Sequence, residues 1–434
     1  MNRILSFLVP ALFLSPSFAA AQQRLTLEDA VGRALEYNFD IRIADLQSRQ
    51  ASVNNTPGNA GMLPNVNASG SYTAGSANTH IEFADGRVQD VDNALSETLN
   101  GNLSLNWTLF DGGRMFLVKK QLSELERIGA VQLKIQVQAT VSQVIQAYAQ
   151  TVLLRQQQIA IDTGLTLART RMILSQAKFE TGASAKVDFL QARVDYNARQ
   201  SDSLYQKASL SGSFALLNAL MGADAEQTYE VDDSMRLELA LDPKDKELLR
   251  EINPTVELAR RNAYVSRLDA RIARAAHLPV LGVNGGYNYT RTRSQAGFAL
   301  FNRSSGPSGS LNLNVPIFQG GNIRRNAKAA SLQAMSDELL YERQNTELSR
   351  QYRTAWSNYR MSAEAYKLEE ENLKYAKENL DIQQERFRVG VATTLETREA
   401  ENGYVQALVR LYTAAYNLKV NATVVQELEG NLVQ

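Results

Sequence analysis

Four short runs of this chain alternate apolar with polar residues, and they come as two pairs. Residues 101–114 read GNLSLNWTLFDGGR, and 208 residues later 309–322 read GSLNLNVPIFQGGN, with seven of fourteen positions identical. That offset is too long for a solenoid period and points to two copies of one large unit. In the first run Leu99, Gly101, Leu103, Leu105, Trp107 and Leu109 alternate with Asn100, Asn102, Ser104, Asn106 and Thr108. Its partner sets Leu311, Leu313, Val315 and Ile317 against Ser310, Asn312, Asn314 and Pro316. A second pair follows Leu63-Pro64 and Leu278-Pro279. There Val66, Ala68, Gly70 and Tyr72 alternate with Asn65, Asn67, Ser69 and Ser71; Leu281, Val283, Gly285, Tyr287 and Tyr289 alternate with Asn284, Gly286, Asn288 and Thr290. A period of two puts each set on its own face of a strand.

A soluble sandwich with one wet face would also alternate. Here, however, the polar face is Asn, Ser and Thr with hardly a charge, and Trp107, Tyr72, Tyr287 and Tyr289 sit on the apolar face near the run ends. Runs of about ten residues with an apolar band and aromatic girdles describe tilted strands that cross a bilayer. An open sheet edge cannot sit in lipid, where no water satisfies its backbone groups. Four strands are also too few to close, since the smallest barrels use about eight. The chain is therefore expected to share a barrel with copies of itself, two giving eight strands and three giving twelve.

Met1, Asn2 and Arg3 precede an apolar run from Ile4 to Leu14 and the small residues Ala19, Ala20 and Ala21. This is the layout of a secretory signal peptide at 1–21, cut after Ala21. Pro10 and Pro16 interrupt the run, which falls short of the ~20 apolar residues of a spanning helix. The expected location is thus the cell envelope. Lys+Arg and Asp+Glu balance at 46 each, so no basic field suits nucleic acid. There is no cysteine, hence no disulfide, thiol nucleophile, cysteine-based zinc site or lipid-modified cysteine. His80 and His277 are the only histidines, and neither an HExxH nor a phosphate-binding P-loop occurs. Neither enzyme activity nor a cofactor or metal is expected.

Between the strands the period lengthens. No proline occurs from 321 to 388, and Tyr352, Tyr359, Tyr366, Leu373, Leu380 and Phe387 recur every seven residues. A sustained heptad keeps one seam toward a partner and supercoils the helix to the left, as in a coiled coil. Ala355, Ala376 and Gln383 keep that seam narrow. About 65 helical residues reach ~100 Å. The first copy runs similarly over 113–178, with Val137, Val141, Val144, Tyr148, Val152 and Ile159 near 3–4 spacing. Shorter helices over about 186–221 and 394–430 follow turns at Gly182 and Gly390, also 208 apart. Thr26, with Asp29, caps an opening helix, and Pro57-Gly58 ends the helical run before the first strand. The expected organisation is a first repeat over 22–222, a linking segment over 223–246 and a second repeat over 247–434. Each repeat reads helix, two strands, long helix, helix.

These residues resemble the TolC-like outer membrane efflux protein family over essentially all the mature chain. The carriers are LTLEDAVGRAL at 25–35, WTLFDGGR with its echo VPIFQGGN, and the turns KFETGASAKVDFLQAR and RFRVGVATTLETREAE. The resemblance implies a homotrimer with a twelve-stranded barrel in outer-membrane lipid, continued by a periplasmic α-barrel of coiled-coil hairpins. It implies the passive exit duct of a tripartite multidrug efflux system, served by a periplasmic adaptor (membrane fusion) protein and an inner-membrane pump. A type I protein secretion duct belongs to the same class. From another class, a periplasmic adaptor also has long helical hairpins, but not duplicated amphipathic strands.

The resemblance also assigns positions. Strands leave the membrane at Phe110 and Phe318, and Gly112-Gly113 and Gly320-Gly321 bend the backbone into the rods. The adaptor grips the turns Thr181-Gly182-Ala183 and Val389-Gly390-Val391, of which the second matches the family's Val-Gly tip and the first has Thr for Val. Glu396 and Glu399 are the acidic pair facing the pore, and one helical face can present both. Asp188 is the acidic residue holding neighbouring rods together. Its basic partner is missing, because Ala392 stands in that place; Arg386, Arg388 and Lys186 are substitutes.

Overall fold

Thr26 opens the first helix with a capping box: its hydroxyl accepts the Asp29 N–H at 3.1 Å and donates to the Asp29 carboxylate at 2.8 Å. The computed structural model describes residues 24–232 and 235–432; the signal peptide expected at 1–21 lies outside them. In chain order the elements are β1 (Arg24–Leu25), α1 (Leu27–Tyr37), α2 (Phe39–Asn54), β2 (Asn65–Glu82), β3 (Val88–Phe110), α3 (Arg114–Glu180) and α4 (Lys186–Met221). Then come β4 (Glu230–Val231), α5 (Lys246–Ile252), α6 (Pro254–Ala275), β5 (Val280–Ser294), β6 (Phe301–Asn314), α7 (Asn322–Arg388) and α8 (Thr394–Leu428). The order repeats: two helices, two strands, a 67-residue helix, a shorter helix. The fold is thus mainly helical, with one amphipathic sheet and two internal repeats.

The chain divides into two compact units, and each takes segments from both repeats. One unit holds residues up to 38, 140–242 and 355–425; the other holds 39–139, 243–354 and those from 426 onward.

In the first unit, β1 and β4 pair in parallel, setting Leu25 opposite Val231. Leu25, Ala34, Val144, Tyr148, Val152, Leu217 and Met221 form its buried core. Each large apolar side chain withdrawn there stabilises the unit by roughly 1.5–3 kcal/mol. Tyr148 donates its hydroxyl to Leu25 O at 3.0 Å. Asn38 donates its amide to Leu220 O at 2.8 Å. In the second unit Asn253, the equivalent residue of the other repeat, donates to Leu428 O at 3.0 Å.

The heptad seam of α7 is real, and Tyr352, Tyr359, Leu380 and Phe387 are buried along it. Ile159, expected on the matching seam of α3, is exposed. Two seam tyrosines have a second task, which the heptad did not reveal. In the first unit the Tyr359 hydroxyl accepts Leu241 N–H at 3.1 Å and donates to Glu238 O at 2.9 Å. In the second, Tyr352 accepts Lys244 N–H at 2.8 Å and donates to Glu429 at 2.9 Å. The segment joining the repeats is therefore held by tyrosine hydroxyls.

The second unit carries the sheet, antiparallel in the order β2-β3-β5-β6. Its central pairing, β3 with β5, joins the two repeats. The strands run to 18, 23, 15 and 14 residues rather than about ten, because both hairpins continue past the apolar band. The end of β6 also differs from expectation. The first repeat's strand reaches Phe110 as expected, but β6 stops at Asn314 and not at Phe318. Pro316 has no N–H to give a ladder.

Candidate functional site

Cross-strand register sorts the sheet into two faces. One face carries the rows Asn65–Asn106–Asn284–Ser310, Asn67–Ser104–Gly286–Ser308 and Ser69–Asn102–Asn288–Gly306. The rows Ser71–Asn100–Thr290–Ser304 and Thr73–Thr98–Thr292–Asn302 continue it, and none of the five contains an ionisable residue. The side chains tie the strands together: Asn102 donates to Asn288, and Asn288 donates to Ser308 at 3.1 Å. Such a face offers hydrogen bonds to water and to many solutes without fixing a charge.

The opposite face carries Val66–Leu105–Gly285–Gly309, Ala68–Leu103–Tyr287–Pro307 and Trp107–Val283–Leu311. In the single chain Tyr72 is 64% exposed, Leu103 50% and Leu311 67%. An apolar surface this open needs a cover, and lipid supplies one. Among the described residues β2 and β6 each have one unpaired edge. The sheet has the two faces of a barrel wall but not enough strands for a barrel.

At the strand-to-helix bends all four glycines have positive φ, from +60° to +79°. Gly112 has a further reason to lack a side chain. A Cβ there would stand 2.6 Å from Leu278 Cβ, whereas at Gly113 it would meet nothing. The first bend is thus a close approach as well as a turn.

The two hairpin turns share one geometry. Gly182 N–H bonds Phe179 O and Ala183 N–H bonds Lys178 O; Gly390 N–H bonds Phe387 O and Val391 N–H bonds Arg386 O. This is the bonding of a helix end with a left-handed glycine, and φ is +77° at Gly182 and +85° at Gly390. Thr181, Ala183, Val389 and Val391 are exposed beside them. Lys178 reaches across, donating to Phe387 O at 2.9 Å with its ammonium 3.9 Å from the centre of that ring.

The three acidic positions differ. Glu396 closes a capping box on Thr393, and these hydrogen bonds hold its carboxyl below the ordinary glutamate value. Sequence reasoning missed Thr393, although T-x-x-E at 393–396 is the signature. Glu399 is exposed one turn on. Asp188 occupies the Glu396 position of the first repeat, but Ala185 stands where Thr393 would cap, and no side-chain cap forms. Arg388 is taken up by Glu385 at 2.6 Å, and Arg386 donates to Gln383 at 3.3 Å.

A further charged cluster has no sequence signal, because its members are far apart in the chain. Arg171, 3% exposed, lies 3.1 Å from Asp195 and 3.2 Å from Glu401, joining α3 to α4 and α8 within the first unit. Burial pushes the Glu401 carboxyl up, opposed by the Arg171 and Arg199 guanidinium groups. A small cavity opens beside this triad, and Gly164, Arg199, Asp202 and Arg398 line it. Among the described residues no group of His, Cys, Asp and Glu has the arrangement of a metal site, and no helix is long and apolar enough to cross a membrane.

A family model described as "Outer membrane efflux protein" matches residues 30–223 and 247–431. Outer membrane protein TolC of Vibrio cholerae is 26% identical over 189 residues, 42% of this chain and 40% of that protein. The match therefore spans less than half the length of that relative. The alkaline protease secretion protein AprF of Pseudomonas aeruginosa is 23% identical across 100% of this chain and 91% of its own. The solved CmeC outer membrane channel of Campylobacter jejuni superposes with a TM-score of 0.78 at 18% identity, covering 94% of this chain and 86% of that one.

Proposed function

The chain belongs to the outer membrane efflux protein family, and from that membership we propose that it is the outer-membrane channel of a tripartite efflux system. Three copies place β6 of one beside β2 of the next and close a twelve-stranded barrel. The uncharged rows then line the lumen and the apolar rows face lipid. The long helices continue the duct into the periplasm. The duct is passive and performs no catalytic step: small molecules enter from an inner-membrane pump through a periplasmic adaptor. The adaptor is assigned to the exposed turns at 181–183 and 389–391. Glu396 and Glu399, six carboxylates in a trimer, are assigned to the pore mouth, where they attract cations. Asp188, with no cap to occupy it, is assigned to a contact between rods.

One observation carries this reading: a four-stranded sheet that is polar but uncharged on one face, apolar on the other and open at both edges. The test is to extract the protein from outer membranes in mild detergent, measure its mass and insert it in a planar bilayer. A conducting trimer is expected; a monomer that passes no ions overturns the proposal. AprF, named for protease secretion and matched across this whole chain, favours a second reading as a protein secretion duct. Expression in a strain lacking its own channel separates them, according to whether drug resistance or protease export returns.

A further inference from the structure

The lipid-facing rows end in a feature that a channel wall does not require. Beyond Tyr287 and Tyr289 the next row reads Tyr72–Leu99–Arg291–Arg303, and the one after it Ala74–Glu97–Arg293–Phe301. Arg291 and Arg303 are thus directly opposed across β5 and β6, on the apolar side of the sheet. Like charges in that position repel and destabilise the pair. The Arg291 guanidinium lies 5.9 Å from the centre of the Phe301 ring, so it is held against the sheet surface.

The neighbourhood is poor in anions of its own. Among the described residues none of the three arginines makes an ion pair with a carboxylate. Glu97 is the one acidic residue in these two rows, and it stands opposite Arg293. The copy that closes the barrel adds little, because β2, which would lie against β6, has no Asp or Glu from 65 to 81 and carries only Glu82 at its hairpin end. Any register that sets Arg303 opposite residues 65–79 leaves it without a facing carboxylate.

Height along the strand then selects the occupant. From Leu281 to Arg291 is ten residues, about 34 Å along a strand. With a tilt of about 40° this is roughly 26 Å across the membrane, close to the ~25 Å apolar band of such barrels. The arginines therefore reach the headgroup layer at the hairpin end, the leaflet away from the helices. A guanidinium fork matches phosphate oxygens bidentately, and two forks side by side suit a phosphate more than any apolar lipid tail.

Resting on the channel reading above, we infer that Arg291 and Arg303, flanked by Arg293, bind the phosphate groups of an outer-leaflet lipid on the outside of the barrel. The phosphate between the two guanidinium groups relieves their repulsion and fixes the lipid to the β5–β6 hairpin.

The experiment is native mass spectrometry of detergent-solubilised trimers titrated with diphosphoryl lipid A, with a zwitterionic phosphocholine lipid as control. The wild type is expected to hold lipid A more tightly than Arg291→Gln/Arg303→Gln, by about fivefold for each charge removed. Arg291→Lys/Arg303→Lys keeps the charge but loses the bidentate forks, so it should bind between wild type and the Gln variant, and the control lipid should not change. Equal lipid A binding by wild type and the Gln variant overturns the inference. So does an equal loss of the control lipid, or displacement of lipid A by excess inorganic phosphate at no cost to the trimer. Conductance recorded on the same preparations separates the two claims. A conducting trimer indifferent to these arginines overturns only the lipid site, whereas a non-conducting monomer overturns the channel reading.

Discussion

Glu396 folds back on Thr393, accepting its N–H at 2.7 Å and its hydroxyl at 2.9 Å, while the Thr393 hydroxyl accepts Glu396 N–H at 3.2 Å. A carboxylate proposed for the pore mouth that is also a helix cap must be altered with care. Glutamine serves the same position of a capping box, so Glu396→Gln removes charge and keeps the helix start. Glu396→Gln/Glu399→Gln is expected to weaken block of single-channel current by multivalent cations, with trimer yield unchanged. Undiminished block places these residues away from the pore mouth.

Gly390 sits at φ +85° with open space where a Cβ would point. A valine there strains the turn by about 1–2 kcal/mol but clashes with nothing. Gly390→Val is expected to assemble as a trimer and to lose drug resistance in a channel-deficient strain. Full resistance would mean that the adaptor grips elsewhere.

Gly112 and Gly113 have similar φ but different surroundings. Alanine at 113 meets only backbone strain, whereas alanine at 112 drives a methyl into Leu278. Overpacking adds about 1–3 kcal/mol. Gly112→Ala should therefore lower the heat-dissociation temperature of the trimer clearly more than Gly113→Ala. Equal effects would show that space is not what excludes a side chain there.

Tyr352 gives up two hydrogen bonds when changed to phenylalanine, taking the acceptor from Lys244 N–H and one donor from Glu429, which keeps its ion pair with the Lys244 ammonium at 3.3 Å. A loss of about 1–3 kcal/mol is expected. Burial, and then the Glu429 carboxylate, pushes the Tyr352 hydroxyl up to about 12. Since that value lies above the ordinary 10, its contribution is complete below pH 10 and disappears as pH rises through about 12. Thermal melts followed by circular dichroism between pH 8 and pH 12 should show wild type converging on Tyr352→Phe, and parallel curves would refute the assignment.

Arg171 neutralises a buried carboxylate, Glu401, and a half-buried one, Asp195. Arg171→Met strands them and should cost about 3–5 kcal/mol, most of which Arg171→Met/Asp195→Asn/Glu401→Gln recovers. The folded Glu401 carboxyl lies above its ordinary value, so its favourable contribution is present at low pH and is lost as pH rises through the raised value. Glu401→Gln should flatten that part of the stability profile, measured by the same melts.

What the sequence determined by itself was everything carried by local period. Alternation of two placed the four strands and their faces, a repeat of seven placed the seam of α7, and paired glycines placed the bends and turns. These signals are legible because each residue's direction follows from its own backbone. The Thr393–Glu396 cap was equally local and equally legible. Tertiary structure alone decided which strand meets which, joining β3 to β5 across the repeats. It also decided that Tyr352 and Tyr359 hold the connecting segment, that Arg171 meets Asp195 and Glu401, and that β6 ends at Asn314 rather than Phe318. Those contacts join residues distant along the chain, so their partners depend on the packing of whole elements, which no periodicity records.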